Sequence, residues 1–291
     1  MSKRIDAKLL EALPNLPLEE QKEILSLLED LEESEKREAA RDSFMGFTKY
    51  VWPAFIEGRH HKIMASAFER VANGELKRLI VNMPPRHTKS EFASYLLPAW
   101  FLGRFPEKKI IQTAHTAELS VGFGRKVRNL VDSDDYKSVF PSLGLRSDSK
   151  AAGRWSTSKN GEYFAIGVGG AVTGKGADLL IIDDPHSEQE GQSADASVFD
   201  RVYDWYTSGP RQRLQPGGAI IVVMTRWHKR DLTGQIIKSS VQRAGTDEWE
   251  VIEFPAIMPS GKALWPEFWS LEELTALQNE LPAPKWNAQY Q

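Results

Sequence analysis

The chain has no cysteine. That removes disulfides, thiolate metal sites and cysteine nucleophiles, and it sets the expectation of an intracellular, cytosolic protein. It also lacks any apolar run approaching membrane-spanning length, so no membrane association is expected. The opening Met1-Ser2-Lys3-Arg4-Ile5-Asp6 leads into no apolar stretch of the secretory kind. An excess of basic charge is missing too. Lys and Arg number 37 against 40 Asp and Glu, a formal charge of −3, so any nucleic-acid contact must be a local patch. There are no internal repeats and no low-complexity tracts. What remains is a globular composition, 41% hydrophobic and 26% charged over 291 residues, enough for one large or two modest domains with a real core.

Helix and strand patterns alternate along most of this length. Pro17–Arg41 reads as an amphipathic helix, with Leu18, Ile24, Leu25, Leu28 and Leu31 on one stripe and Glu and Lys on the other face. A second helix spans His61–Ala72 and stops at Asn73-Gly74. Short runs rich in Val, Ile and Leu then predict strands at Arg78–Asn82, Lys109–Thr113, Leu179–Asp183, Ala219–Met224 and Trp249–Phe254. Helices are predicted between them at Ser90–Trp100, Thr116–Asp132, Ser193–Tyr206 and Asp231–Ser239. Uninterrupted apolar strands of this kind belong to a parallel sheet covered on both faces. Trp155–Gly167 reads instead as a hairpin turning at Lys159-Asn160-Gly161. After Pro255 the texture becomes rich in Pro and Trp, followed by a helix near Leu271–Glu280. The final Trp286-Asn287-Ala288-Gln289-Tyr290-Gln291 reads like a cut in a longer chain.

The first chemical signal is the passage Leu79-Ile80-Val81-Asn82-Met83-Pro84-Pro85-Arg86-His87-Thr88-Lys89-Ser90, a strand, a tight turn and a Lys-Ser pair opening a helix. This is the layout of a phosphate-binding loop. Backbone N–H groups and a helix N-terminus face an anion, Lys89 meets the β- and γ-phosphates, and the Ser90 hydroxyl holds Mg²⁺. The two glycines of the strict pattern are absent, replaced by Met83 and Thr88. The second signal is Leu179-Leu180-Ile181-Ile182-Asp183-Asp184, paired acids at the end of a buried strand. There Asp183 would hold Mg²⁺ and Asp184 would orient and deprotonate an attacking water, where glutamate is usual. Alone, this string is equally a strand ending in a solvated acidic turn. The third is the strand ending Met224-Thr225-Arg226-Trp227-His228, whose Thr225 could sense a γ-phosphate. The plainer reading is that Thr225 and His228 cap the helix starting near Asp231. A Gly-rich turn, Gly167–Gly176, would present Lys175 beside the nucleotide. Arg125, Lys126 and Arg128 form either a solvated helix face or a phosphate- or DNA-reaching one.

Taken together, RLIVNMPPRHTKSE, PAWFLGRFP, GVGGAVTGKGADLLIIDDP and GGAIIVVMTRWHKRDL resemble the ATPase domain of the large terminase subunit of tailed bacteriophages, over nearly everything from Tyr50 onward. The resemblance implies an α/β fold, a P-loop NTPase of the ASCE or RecA-like kind with a mainly parallel sheet flanked by helices. It implies an N-terminal helical segment over residues 1–45, the ATPase core over 46–255, and a linker or lid subdomain over 256–291 that leads to an absent nuclease domain. It implies ATP and Mg²⁺ as ligands, with Pro84, Pro85, Arg86, His87, Thr88, Lys89 and Ser90 around the phosphates. Trp52 and His61 are candidates for the adenine pocket, and Ser90 and Asp183 for the metal. Asp184, Lys89, Arg86 and Thr225 carry the catalytic and coupling roles. Lys175 stands where many members carry an arginine that reaches a neighbouring subunit, and lysine lacks that planar fork, so Arg125, Arg128 or Arg154 could serve instead.

The expected function is therefore an ATP-driven motor that moves double-stranded viral DNA into a procapsid. It would work in the host cytoplasm, as a homo-oligomeric ring at the portal protein, with a small terminase subunit that recognises the DNA. In isolation a monomer is an open alternative to the ring. Nuclease activity is not expected, since Glu267, Glu272, Glu273 and Glu280 read as surface. Two rivals stay open: another P-loop translocase of helicase type, and a nucleotide-binding switch with little turnover.

Overall fold

Residues 13–193 and 195–290 are described by the computed structural model of the chain. The expectations for residues 1–12, for position 194 within the 193–206 helix and for Gln291 lie outside the described residues. The first long element, α1 (Leu18–Asp42), leaves Leu18, Leu25 and Leu27 exposed and docks only at its C-terminal end, where Ala40 is buried. Ser43 caps the next helix, α2 (Phe44–Val51), by accepting the Gly46 N–H. Phe44 then packs edge-on against Phe68 of α3 (Arg59–Ala72) and against Phe92 and Trp100.

The sheet starts with β1 (Arg78–Asn82), buried along its whole length. Its exit loop enters a helix whose first part, Glu91–Leu96, is π-helical before it tightens into α4 (Leu97–Arg104). Next come β2 (Lys109–Ala114), α5 (Ala117–Asp132), and an edge set of β3 (Leu145–Ala151), β4 (Arg154–Thr157) and β5 (Glu162–Gly167). Then follow β6 (Ala177–Asp183), α6 (Ser197–Ser208), β7 (Leu214–Met224), α7 (Leu232–Gln242) and β8 (Glu250–Glu253). The eight strands lie in the order β3-β4-β5-β2-β6-β7-β1-β8. The pairs from β5 to β8 are parallel, and β4 is antiparallel to both neighbours. The hairpin between β4 and β5 turns at Asn160, whose φ of 67° suits asparagine.

Two apolar layers cover the sheet. Leu79, Val81, Ile110, Leu179, Ile181, Ile221 and Val223 face the side of α2 to α5, while Ile80, Ile111, Leu180, Ile182, Ile220 and Val222 face α6 and α7. Alternate residues of one strand thus serve opposite layers, which is why these strands read as unbroken apolar runs. The segment after Pro255 forms a small cluster of its own, with Ala256 and Ala263 buried beside Leu274 of α8 (Leu271–Glu280) and Trp286 of α9 (Ala283–Gln289). Among the described residues no helix is long and apolar enough to cross a membrane.

Candidate nucleotide site

Register brings the three chemical signals to one edge. Asn82 pairs with Met224 and Asp183 with Val223, so β1, β6 and β7 end within one residue of each other. Backbone bonds carry the stitching past the strands: Met83 N–H donates to the Met224 carbonyl, and Asp184 N–H to that of Val223. Side chains close the remaining gaps. Lys89 Nζ lies 2.9 Å from Asp184 Oδ2, and Ser90 Oγ donates to Asp183 Oδ1 at 2.9 Å. Thr225 donates its N–H to Asp184 Oδ1 at 2.7 Å and its hydroxyl to the Met83 carbonyl at 3.3 Å. Thr225 is therefore no helix cap. That role belongs to Asp231, which accepts from Gly234 N–H and holds Arg226.

The loop explains its own missing glycine. Thr88 has φ 68°, the left-handed conformation that glycine adopts freely and a β-branched residue rarely does. Two hydrogen bonds hold it there. Its hydroxyl donates to the His87 carbonyl at 2.5 Å and accepts from His61 Nε2 at 2.5 Å. His61 Nδ1 accepts the Gly58 N–H at 2.8 Å, which fixes the proton on Nε2. His61 thus supports the phosphate loop through Thr88. It is buried, both nitrogens are engaged, and its ring lies between His60 at 3.8 Å and Phe92 at 4.8 Å. Trp52 is half-buried and rests on Phe55, which abuts the same cluster. Arg86, also at positive φ, is exposed and has no ion pair or hydrogen bond among the described residues. Pro84 is buried and Pro85 half-buried. His87 is buried with Nδ1 against the Pro85 carbonyl at 2.8 Å.

Electrostatics at the site are set by burial. Asp183 is pushed up to about 7, first by desolvation and then by the adjacent Asp184, which together outweigh Lys89 and the two serine hydroxyls. Tyr163, fully buried, is raised by burial and then by Asp183. Burial lowers His60 to about 4, with His87 adding to the effect, and lowers His61 and His87 as well. Among the described residues no group of three or more His, Asp or Glu could hold a metal ion by itself. The donor set at the loop nonetheless fits Mg²⁺. One hydroxyl and one carboxylate oxygen, both hard, stand side by side, and Mg²⁺ typically takes one or two protein oxygens and completes its shell with phosphate and water.

No family model matches the chain, and no curated protein matches it. Solved structures do. The HK97 bacteriophage large terminase superposes with a TM-score of 0.53 at 14% identity, covering 81% of this chain and 50% of that one. The ATPase domain of the Thermus phage P74-26 large terminase, in an arginine-to-alanine variant, does so with a TM-score of 0.50 at 14% identity, covering 81% and 94%. The fold is that of a phage large-terminase ATPase domain. It is a P-loop NTPase fold, and this chain spans half the length of the HK97 protein.

In this terminase fold the remaining candidates fall apart in space. Lys175 does not sit beside the phosphate loop. The glycine-rich turn crosses the sheet from the end of β5 to the start of β6, and Lys175 Nζ reaches Glu162 at 3.2 Å, on the first residue of β5. That is the edge opposite Asp183. Lys126 is tied to Glu91 at 3.0 Å, Arg128 donates to Asn129, and Arg125 and Arg154 are exposed. His228 stacks on Phe199 and accepts the Arg230 N–H. Sequence reasoning overlooked Ser94, Gln112 and His186. Ser94 Oγ donates to Asp183 Oδ2 at 2.7 Å, and His186 Nε2 accepts the Leu232 N–H at the start of α7. A lone serine inside a helical pattern and a glutamine inside a strand carry no motif that would have marked them.

Proposed function

We propose that the chain hydrolyses ATP and that this turnover drives double-stranded viral DNA into a procapsid. The observation that carries the reading is the convergence of Lys89, Ser90, Asp183, Asp184 and Thr225 at one sheet edge. The triphosphate lies over Met83–Ser90, with the helix start and Lys89 facing it. Ser90 and Asp183 would hold Mg²⁺, which when bound neutralises charge on the phosphate oxygens. Lys89 is buried against Asp184 and exchanges this partner for phosphate when nucleotide enters. That exchange frees Asp184 Oδ2 to accept a proton from water. The water oxygen forms a bond to the γ-phosphorus as the bond to the β-phosphate oxygen breaks, and ADP leaves. Arg86, exposed in the loop and unpaired among the described residues, or a basic residue of a neighbouring copy, stabilises the developing charge. Thr225, bonded to both the loop and Asp184, passes the loss of γ-phosphate to the strand β7 and on to the segment after Pro255.

The same reading supplies the organisation. Residues 46–255 form the motor core, 1–45 an N-terminal segment that is helical over most of its described residues, and 256–291 a linker or lid subdomain. The working form is a ring at the portal protein, in the host cytoplasm, with a small terminase subunit choosing the DNA. The rival of a nucleotide switch has one specific observation in its favour, since both Asp184 oxygens are engaged. Phosphate release by the purified chain, with and without DNA and across protein concentration, decides between them. Steady release that rises with DNA or concentration, and is abolished in Lys89→Ala, is expected. ATP binding without release would leave the switch. Wild-type rates in Lys89→Ala would overturn the phosphate-loop assignment.

A further inference from the structure

We propose that Ser94 and Gln112 are positioning residues that set how the Asp183 carboxylate faces the divalent cation of the nucleotide site. This rests on the ATP reading above. Ser94 lies in the π-helical stretch Glu91–Leu96, four residues after Ser90. The widened turn keeps both hydroxyls on the face toward β6, and each takes a different oxygen of Asp183: Ser90 takes Oδ1 at 2.9 Å and Ser94 takes Oδ2 at 2.7 Å. Such π-helical turns within α-helices occur frequently at functional sites. Behind Ser94 stands Gln112 of β2, whose Nε2 donates to Ser94 Oγ at 3.0 Å.

The direction of this relay is fixed by chemistry. An amide nitrogen can only donate, and a carboxylate that holds a cation is ionised and can only accept, so in the cation-bound site the Ser94 hydroxyl has one arrangement open to it. It accepts from Gln112 and gives its hydrogen to Asp183. Oδ2 is thereby anchored, and the carboxylate cannot turn about its own axis without losing that bond. Oδ1 is left aimed at Ser90 and the phosphate loop.

Packing alone does not account for these residues. Ser94 and Gln112 are both fully buried beside a mainly apolar layer of aliphatic and aromatic side chains, and among the described residues Gln112 Oε1 has no partner. A buried amide with one orphan end is costly, whereas an apolar pair there would stabilise the sheet. The polar relay is intelligible as a device for orientation. In metal sites, partners that orient a ligand in this way typically change metal affinity by about 10–100-fold.

The test is Mn²⁺ binding followed by electron paramagnetic resonance, with the purified chain and a non-hydrolysable ATP analogue. It is read alongside the Mg²⁺ dependence of phosphate release and nucleotide affinity in EDTA. Ser94→Ala is expected to weaken Mn²⁺ binding about tenfold or more, with metal-free nucleotide affinity unchanged. Gln112→Leu should shift it in the same direction by less. The double variant should be no worse than Ser94→Ala, because Gln112 acts through Ser94. A folded Ser94→Ala chain with wild-type Mn²⁺ affinity, or losses that simply add, would overturn the role. If Ser94→Ala does not fold, Gln112→Leu decides alone, and unchanged Mn²⁺ affinity there overturns it. Wild-type chain that neither releases phosphate nor binds Mn²⁺ with the analogue would sink the ATP reading and this inference together. Active wild type with unaffected variants would sink only this one.

Discussion

His60 is expected to make this protein lose stability in acid. The ring is fully buried among His61 at 3.8 Å, Trp265 at 5.4 Å, Phe254 at 6.0 Å and His87 at 6.2 Å, and among the described residues neither nitrogen has a hydrogen-bond partner of good geometry. Burial, then the charge of His87, lower it from 6.5 to about 4 in the fold. The unfolded chain therefore binds the proton first as the pH falls. Stability from the neutral ring is complete above about 6.5 and is lost progressively down to about 4. Between about pH 7.5 and about pH 4.5 the loss from His60 alone is roughly 2.5 kcal/mol. His61, held lower still, adds a loss of similar sign. Against a total of about 5–15 kcal/mol these are large contributions. The assay is urea denaturation of wild type and His60→Phe at several pH values across that span. The phenyl ring changes packing at neutral pH, so the diagnostic quantity is the slope. Wild type should lose about 2 kcal/mol more than His60→Phe between the two ends. Parallel curves would show that His60 does not carry the acid sensitivity, and the reasoning from its burial would fail.

Asp184→Asn should keep ATP binding and lose hydrolysis, measured as retained analogue affinity with no phosphate release; lost binding would make Asp184 the metal ligand instead. Thr88→Gly restores the common loop pattern and relieves a positive φ, yet it leaves the buried His61 Nε2–H without an acceptor. It is expected to destabilise by about 1 kcal/mol in urea titration, and a gain of that size would refute the support role of the pair. Lys175→Ala breaks a partly exposed pair with Glu162, so its stability should change by less than about 1 kcal/mol. Turnover of the dilute chain should stay at the wild-type rate, and a tenfold drop there would place Lys175 in its own subunit's chemistry after all.

The parallel core was legible because its strands are buried on two faces. RLIVN, LLIID and AIIVVM have no polar alternation to confuse with a surface strand, and their ends carry the chemistry. β3, with the sequence LRSDSKA, was invisible for the opposite reason, being a polar edge strand with no apolar pattern. The loop was readable from Lys89-Ser90, but the support for Thr88 was not. It comes from His61, 27 positions away, through one hydrogen bond that leaves no mark on local sequence. The place of Lys175 failed in the same way. Adjacency in sequence to the acids suggested adjacency in space, whereas β6 lies between them and holds Lys175 a full strand length away, at the opposite edge.

The strand order has a consequence for how the protein is made. β7 lies between the strand that leads to the phosphate loop and the strand that ends in the acids, so those two have no pairing of their own. Thr225 meets Met83 across 142 positions of chain. Contacts of such span close late and slowly, because the entropy of the intervening loop is lost before they form. On a ribosome, the loop and the acids emerge first and wait with apolar edges open until β7 arrives to join them. The site is thus completed by the last of its three strands to be made, and slippage or delay in β7 would leave a chain with every candidate site residue present and the site itself unbuilt.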